Sequence, residues 1–204
     1  RGGAEIVSPI LYGAEGLNQI TAVCTVLRSI GQRVNATTGL HVHHDARDMT
    51  VTQLKSVLYL YAKAQSVTAA LLPTRVNRGW CRDINLSDAG RIGKGVKTAS
   101  QIRSMTRGRY YTVNPEAYAA HGTLEFRQHS GSLSAAKITA WVVFTQNFME
   151  ASRGKASNAS PIVDPRKPLI HRLLKQIGAD TNCPFTKSAR QNIVQRIYQN
   201  DPTF

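Results

Sequence analysis

The sequence predicts an α+β fold, and three observations support this prediction. Apolar residues recur at helical spacing in several stretches of the chain. Two shorter segments, residues 40–43 and 123–129, alternate apolar and polar residues as strands do. Apolar residues make up 42% of the 204 residues, which is enough to form a buried core. This apolar share argues against wholesale disorder. No apolar run approaches the roughly 18–20 residues that cross a bilayer, so the sequence excludes a membrane-spanning protein.

The first half of the chain predicts four elements. They are, in order, a short strand over residues 4–9, a helix over 17–30, a strand over 40–43 and one helix over 51–70. The first helix has apolar residues three and four apart and stops at Gly31. The second helix ends before Pro73, because the residue before a proline disfavours the helical conformation.

The second half begins with a basic stretch, residues 75–109, in which apolar residues recur at neither helical nor strand spacing. The predicted elements after it are strands over 110–113 and 123–129, a helix over 134–152, and two short basic helices over 169–177 and 188–198. Residues 152–161 are small and polar, which is typical of a linker. We therefore predict a core over residues 1–151, a linker over 152–161 and a basic helical extension over 162–204.

Charge is the most uneven property of the chain. There are 26 Lys and Arg against 12 Asp and Glu, a net charge of +14. Residues 75–109 hold nine basic and two acidic residues, so a net +7, half of the total, lies in this stretch. Such a stretch is either a solvated loop or a surface that binds phosphates or another polyanion.

The three cysteines are odd in number and contain no CxxC pair, so they predict neither a disulfide framework nor a thiolate zinc site. We therefore expect a reducing compartment, either the cytoplasm or an intracellular or viral assembly. No partner in a membrane is expected.

The first polar motif is Gly39-Leu-His-Val-His-His-Asp45. Side chains alternate along a strand, so His41 and His43 share one face, roughly 6.5 Å apart, while Leu40 and Val42 face the core. A lone histidine is most often structural. Two histidines on one face beside an aspartate are instead typical of a site that faces a metal or a phosphate.

The second polar motif lies in residues 123–133, Thr-Leu-Glu-Phe-Arg-Gln-His-Ser-Gly-Ser-Leu. Alternation places Glu125, Arg127 and His129 on one face and the apolar residues between them on the other. An acid, a guanidinium and an imidazole in a row indicate a functional face. A solvated sheet face with a simple Glu–Arg pair is the alternative.

Together with Glu5-Ile-Val-Ser-Pro9, these two motifs resemble the amidoligase family over roughly residues 4–150. Amidoligases are carboxylate–amine ligases that share the fold of glutamine synthetase and glutamate–cysteine ligase. The resemblance implies an antiparallel sheet flanked by helices, with ATP and magnesium bound on its concave face. It also implies carboxylate and amine substrates, each a small molecule, a peptide or a protein side chain.

The resemblance implies a role for each matched residue. Arg127, His41 and His43 are expected to be catalytic; Glu5, Glu125 and His41 to bind metal; and Arg127, His43, Arg75 and Asn77 to contact the nucleotide or its phosphates. In this chemistry ATP converts the carboxylate into an acyl phosphate, which the amine then attacks. Arginine suits phosphate oxygens, and carboxylates suit magnesium.

The chain departs from the family pattern at its start. Amidoligases open with a strand that carries Gly-x-Glu-x-Glu and supplies further metal carboxylates, and this motif is absent here. An upstream segment of the same product is therefore an expected partner of the site. Glu125→Gln is expected to abolish binding of the magnesium nucleotide and to leave the melting temperature nearly unchanged.

Two other functions stay open. His41, His43 and Asp45 match part of the metallo-β-lactamase pattern, although Ala46 replaces a histidine that this pattern needs. Alternatively, the chain is a ligase-fold module without turnover, a structural or nucleic-acid-binding component of a large assembly. In that case Arg103, Arg107 and Arg109 are the residues expected to contact nucleic acid.

Overall fold

The computed structural model describes residues 4–154, 169–179 and 183–201. The helices and strands of these residues are α1 (Gly13–Ser29), β1 (Gly39–Asp45), α2 (Val51–Lys63), α3 (Gln65–Leu71), α4 (Leu86–Gly95), β2 (Val113–Asn114), α5 (Ala117–His121), β3 (Thr123–Ser130), α6 (Ala135–Arg153), α7 (Leu169–Gln176) and α8 (Pro184–Asn200). Two 3₁₀ segments, Pro73–Arg75 and Ala99–Met105, lie in the basic stretch. The predicted α+β class is confirmed.

The sheet contains three strands in the order β1-β3-β2, and both pairs are antiparallel. Segments some 80 residues apart in the chain are therefore neighbours, and the strands of the two polar motifs pair directly. Glu125 in the central strand pairs with His43 on one side and with Asn114 on the other. The β1–β3 register shifts between Leu40 and Val42, so that two residues of β3 oppose one of β1.

The inner face of the sheet packs against helices and forms the core. Phe126 of β3 is fully buried, and its ring centroid lies 5.4 Å from that of Tyr61 in α2. Tyr61 in turn contacts Phe148 of α6, with ring centroids 5.1 Å apart. Helix α6 begins after Ser134, whose hydroxyl accepts a hydrogen bond from the Lys137 amide. This packing leaves the opposite face of the sheet available for polar residues.

Several predicted boundaries are wrong. Residues 4–9 are exposed and form no strand, because no strand of the described part lies beside them to pair with their backbone. The predicted helix over 51–70 is two helices that break at Ala64. The basic stretch contains α4, whose glycines obscure its period. The strand predicted over 110–113 shrinks to Val113–Asn114.

The C-terminal helices belong to the same hydrophobic core as the sheet. Ile170, Leu173, Ile193 and Ile197 are fully buried, and α8 packs against α3 and α6. The predicted linker lies mostly outside the described residues, and the division into a core and an extension stays a prediction. Cys24, Cys81 and Cys183 are all free thiols. Among the described helices, none combines the length and apolar character that a membrane span requires.

We expect Ile193→Ala to lower the free energy of unfolding by about 2–5 kcal/mol, because it leaves a cavity in a core shared by α8 and the sheet. Denaturant unfolding measures this change. The matched control is Ile30→Ala, since Ile30 is 62% exposed and its truncation should cost well under about 1 kcal/mol. Equal small effects of both substitutions would show that α8 does not stabilise the core.

Candidate functional site

The outer face of the sheet carries a cluster of polar side chains from all three strands. Its members are His41 and His43 of β1, Asn114 of β2, and Glu125 and Arg127 of β3. The pleat turns these side chains to the face opposite Val42 and Phe126, which lie in the core. We call these five residues the Glu125 cluster.

Glu125 is the centre of this cluster, and both of its carboxylate oxygens accept hydrogen bonds. Oε1 accepts from Arg127 Nη1 at 2.5 Å and lies 3.1 Å from His41 Nδ1 and 3.7 Å from His43 Nε2. Oε2 accepts from Asn114 Nδ2 at 2.7 Å. Glu125 is only 5% exposed, so this carboxylate is both buried and closely surrounded by donors.

These partners keep Glu125 ionised. Burial raises the pKa of the carboxyl, but the hydrogen bonds from His41 and Asn114 and the charge of Arg127 outweigh burial and lower the pKa to about 2. The cluster therefore holds a fixed negative charge at neutral pH. Arg127 is 8% exposed and balances that charge.

His43 is the more exposed of the two clustered histidines, with 40% of its side chain accessible against 32% for His41. Its Nδ1 lies 2.9 Å from Thr123 Oγ1, and its ring meets that of His121 edge-on at 5.8 Å. Burial lowers the pKa of His43, and the charge of Glu125 only partly opposes this effect. His43 is thus a neutral imidazole at pH 7 and can accept a proton.

Two buried arginines lie at this site, Arg127 within the cluster and Arg75 beside it. Arg127 Nε is buried without a hydrogen-bond partner, and its guanidinium lies 5.8 Å from the ring centroid of the half-exposed Tyr110. Arg75 is 3% exposed, and two of its nitrogens donate at 3.4 Å to the carbonyls of Arg127 and Gln128. The guanidinium of Arg75 also lies 5.8 Å from the ring of Trp80. Each arginine therefore has one buried nitrogen without a hydrogen-bond partner, Nη1 in Arg75 and Nε in Arg127.

The other residues singled out from the sequence lie apart from the Glu125 cluster. Glu5 is exposed and lies outside the helices and strands of the described part. Asn77 sits in an exposed loop with φ +44°, where its Oδ1 accepts from the Asp83 amide at 3.4 Å. Arg103, Arg107 and Arg109 are all exposed on the basic stretch.

His129 is the clearest error of the alternation rule. It was expected beside Glu125 and Arg127, but its ring is buried near Trp141, with centroids 5.3 Å apart, and its Nε2 lies 3.4 Å from Arg196 of α8. The register shift between β1 and β3 inserts an extra residue before His129 and reverses its side. Burial lowers the pKa of His129 to about 4.

Sequence reasoning missed Asn114 and Thr123, which hold Glu125 and His43. Asn114 was missed because the predicted strand stopped at Val113. Extending that strand by one residue would have placed Asn114 in line for pairing. Thr123 begins β3, and its contact with His43 follows only from the β1–β3 register. No local pattern reports that register.

A family model described as "Putative amidoligase enzyme" matches residues 2–149. The chain belongs to this amidoligase family. The match covers every member of the Glu125 cluster, and the family suggests that the chain is a ligase. No curated protein and no solved structure matches the chain. The similarity to the glutamine synthetase fold therefore stays a prediction beyond the α+β class.

The family resemblance implies magnesium, and the described residues do not fit a magnesium site on their own. Magnesium takes about six oxygen ligands, usually including one or two carboxylates. Glu125 is the single carboxylate of the cluster, and both of its oxygens already accept hydrogen bonds. Among the described residues, no group of three or more His, Cys, Asp or Glu is placed to hold a metal.

The described residues also do not form the metal site that the hydrolase alternative needs. It requires His41, His43 and Asp45 to be free to bind metal, but the exposed Asp45 carboxylate accepts two hydrogen bonds from the Arg47 guanidinium. His44, between them, is buried and lies 2.8 Å from Thr145 Oγ1. The arrangement gives no support to a dizinc site of the metallo-β-lactamase kind.

Burial changes the expectation for Glu125→Gln. The substitution leaves the Arg127 charge buried without its counter-ion, so we expect a loss of about 3 kcal/mol in unfolding free energy rather than an unchanged melting temperature. Chemical denaturation at pH 7 measures this loss. Asp45→Asn, at an exposed pair with Arg47, is the control and should cost at most about 1 kcal/mol.

The same carboxylate predicts a pH dependence of stability. A group whose pKa is depressed on folding stabilises the protein above its unfolded pKa, and this contribution disappears as pH falls through the folded pKa. The Glu125 contribution should therefore be lost between about pH 4.5 and about pH 2. The difference in stability between wild type and Glu125→Gln should shrink across this range. A difference that stays constant with pH would contradict the assignment.

Proposed function

We propose that the chain is an ATP-dependent carboxylate–amine ligase that forms an amide bond through an acyl phosphate. The observation that carries the proposal is the Glu125 cluster itself. It combines a buried Glu–Arg pair with two partly exposed histidines on the open face of the sheet, in a chain of the amidoligase family.

The proposed reaction has two steps. A substrate carboxylate oxygen attacks the γ-phosphorus of ATP, the bond from that phosphorus to the β,γ-bridging oxygen breaks, and ADP leaves. An amine nitrogen then attacks the acyl carbon and expels inorganic phosphate, and the nitrogen loses a proton to a base. Phosphoryl transfer of this kind depends mainly on positioning and on charge stabilisation.

The arginines suit the first step. Arg127 is held in place by Glu125, and its buried Nε has no partner, so the guanidinium is oriented and has a donor left for an anion. Arg75 adds a second buried cation that lies close to the Arg127 backbone. We assign both residues to the binding of phosphate or carboxylate oxygens, which arginine recognises through its planar fork.

His43 suits the second step. Burial keeps its imidazole neutral at pH 7, and a neutral imidazole can take the proton that the attacking amine releases. Its side chain is 40% exposed, so an incoming amine can reach it. His41 lies beside it and contacts Glu125 and Arg127. Magnesium remains an expectation from the family resemblance, to be tested with the nucleotide.

Hydroxylamine provides a test that does not require the natural amine. The purified chain is incubated with ATP, hydroxylamine and a panel of mono- and dicarboxylates and acidic peptides, with and without magnesium. We expect ADP and a hydroxamate in equal amounts for at least one acid. If the folded chain yields neither product from any acid, with or without its native upstream segment, the ligase proposal is wrong.

His43→Gln should lower the rate of hydroxamate formation by about 10²-fold or more, because it removes the proton acceptor while leaving the buried Glu–Arg pair in place. His171→Gln, an exposed histidine on α7, is the matched control and should retain the wild-type rate. Calorimetric melting of both variants checks that folding is retained. A wild-type rate in His43→Gln would remove His43 from the mechanism.

The exposed arginines of the basic stretch favour a second candidate function. Arg103, Arg107 and Arg109 are exposed, and Arg109 stacks on the half-exposed Tyr110 at 5.2 Å from the ring centroid. Cations interleaved with an exposed aromatic ring are typical of surfaces that bind single-stranded nucleic acid. On this basis we propose, as the alternative, a ligase-fold module without turnover that binds nucleic acid or another polyanion within a large assembly.

If this alternative is right, replacing Arg103, Arg107 and Arg109 together by Glu should weaken binding of a single-stranded oligonucleotide. It should also reduce the slope of log affinity against log salt by about 2, since each neutralised phosphate contributes roughly 0.7 for single strands. Fluorescence anisotropy over a salt series measures both effects. The control replaces three exposed basic residues elsewhere by Glu, namely Arg28, Lys137 and Lys187. If the Arg103, Arg107 and Arg109 variant has the same affinity and salt slope as this control, the surface does not bind nucleic acid.

A further inference from the structure

Helix α8 contacts the central strand of the sheet through a polar pair. His129, near the end of β3, is 1% exposed, and its Nε2 lies 3.4 Å from Nη2 of Arg196 in α8. The His129 ring packs against Trp141 of α6, and Ile193 and Ile197, on either side of Arg196 along α8, are fully buried. The pair therefore lies where α6, α8 and the sheet meet, and we call it the α8 contact.

The hydrogen bonds of His129 determine which ring nitrogen carries the proton. Nδ1 lies 2.6 Å from the Ser130 carbonyl oxygen, which can only accept, so Nδ1 donates. In the neutral ring Nε2 then holds a lone pair and can accept from Arg196, whose guanidinium can only donate. The α8 contact therefore requires a neutral imidazole. A proton on Nε2 would place two donors and two positive charges against each other.

The charges that face His129 come from three elements and are all positive. They belong to Arg196 of α8, Lys137 of α6 and Arg75 of the 3₁₀ segment beside β3. Among the ion pairs of the described residues, none includes His129, so no carboxylate there offsets a second positive charge. Burial, followed by these cations, lowers the pKa of His129 to about 4, although the hydrogen bond to Ser130 acts in the opposite direction.

We infer that the α8 contact is a pH-sensitive switch, in which protonation of His129 Nε2 breaks the hydrogen bond with Arg196 and releases α8 from the sheet and α6. The proton comes from solvent, and its loss restores the lone pair that Arg196 needs, so the step is reversible. Helix α8 lies beyond the residues 2–149 that match the amidoligase family. The inference therefore does not depend on the ligase proposal.

The pH range of the switch follows from the direction of the pKa shift. A group whose pKa is lower in the docked state stabilises that state fully above its ordinary pKa, which is 6.5 for this histidine, and loses the contribution as pH falls through the docked value. Helix α8 should therefore be held fully above about pH 6.5 and progressively less toward about pH 4. The ratio of docked to undocked α8 should fall by about 100-fold or more, because each unit of pKa shift is a factor of ten.

Hydrogen–deuterium exchange of the full chain between pH 7 and pH 4 tests the inference, with each rate corrected for the intrinsic pH dependence of amide exchange. We expect protection of the α8 amides to fall by about 100-fold or more, because an undocked helix is only marginally stable in water. Protection of α2, which packs against α6, should change much less. NMR titration of the His129 ring in the same samples measures its pKa directly.

Two variants and a matched control assign the effect to the α8 contact. His129→Gln should remove the pH dependence, because its amide oxygen accepts from Arg196 and does not titrate. Arg196→Gln should reduce the dependence several-fold, because it removes one facing cation and supplies an oxygen to a protonated ring. The control is His44→Gln. His44 is also buried, with its pKa lowered to about 3 by burial, but it contacts Thr145 of α6, so this variant should keep the wild-type pH dependence of α8.

Three results would overturn the inference. They are α8 protection in wild type that does not change with pH, loss of α8 and α2 protection together over one pH range, and wild-type pH dependence in Arg196→Gln. The third decides the matter even if His129→Gln fails to fold, because Arg196 is only partly buried and its replacement leaves the core side chains in place. The hydroxamate assay bears on the ligase proposal alone, so the two can fail separately.

Discussion

The buried pairing of Glu125 with Arg127 organises the outer face of the sheet. A carboxylate that is 5% exposed needs several donors to remain charged, and it obtains them from all three strands. The side chains of Asn114 and Arg127 are held in place by their hydrogen bonds to Glu125, and the His41 ring is oriented by its contact with the same carboxylate. The positions of the side chains on this face therefore follow from one charge that has to be satisfied where water is largely excluded.

The irregular pairing of β1 with β3 gives this arrangement its asymmetry. Two residues of β3 oppose one of β1 at the register shift, so the side chain of His129 beyond it turns toward the core. Gln128 points inward by ordinary alternation and accepts a hydrogen bond from the buried Tyr61 hydroxyl at 2.6 Å, whereas His129 lies against Trp141 because of the shift. The same segment of chain thus supplies charges to the open face and polar anchors to the interior.

The arginines of the site and of the basic stretch differ in burial. Arg75 and Arg127 are buried beside the sheet and have unpartnered nitrogens, which suits recognition of a small anion at a fixed place. Arg103, Arg107 and Arg109 are exposed, which suits weak and salt-dependent attraction of a larger one. Tyr110 lies near both groups, with its ring centroid 5.2 Å from the Arg109 guanidinium and 5.8 Å from that of Arg127.

The sequence by itself determined the α+β class, the helices with clear periodicity such as α6, and the shared face of His41 and His43, because these depend on spacing along one element. Only the tertiary structure decided that residues 4–9 form no strand, that Asn114 joins the cluster and that His129 leaves it. Those outcomes depend on which strands pair and in what register. Pairing is set by contacts between residues far apart in the chain, and local alternation carries no record of a register shift.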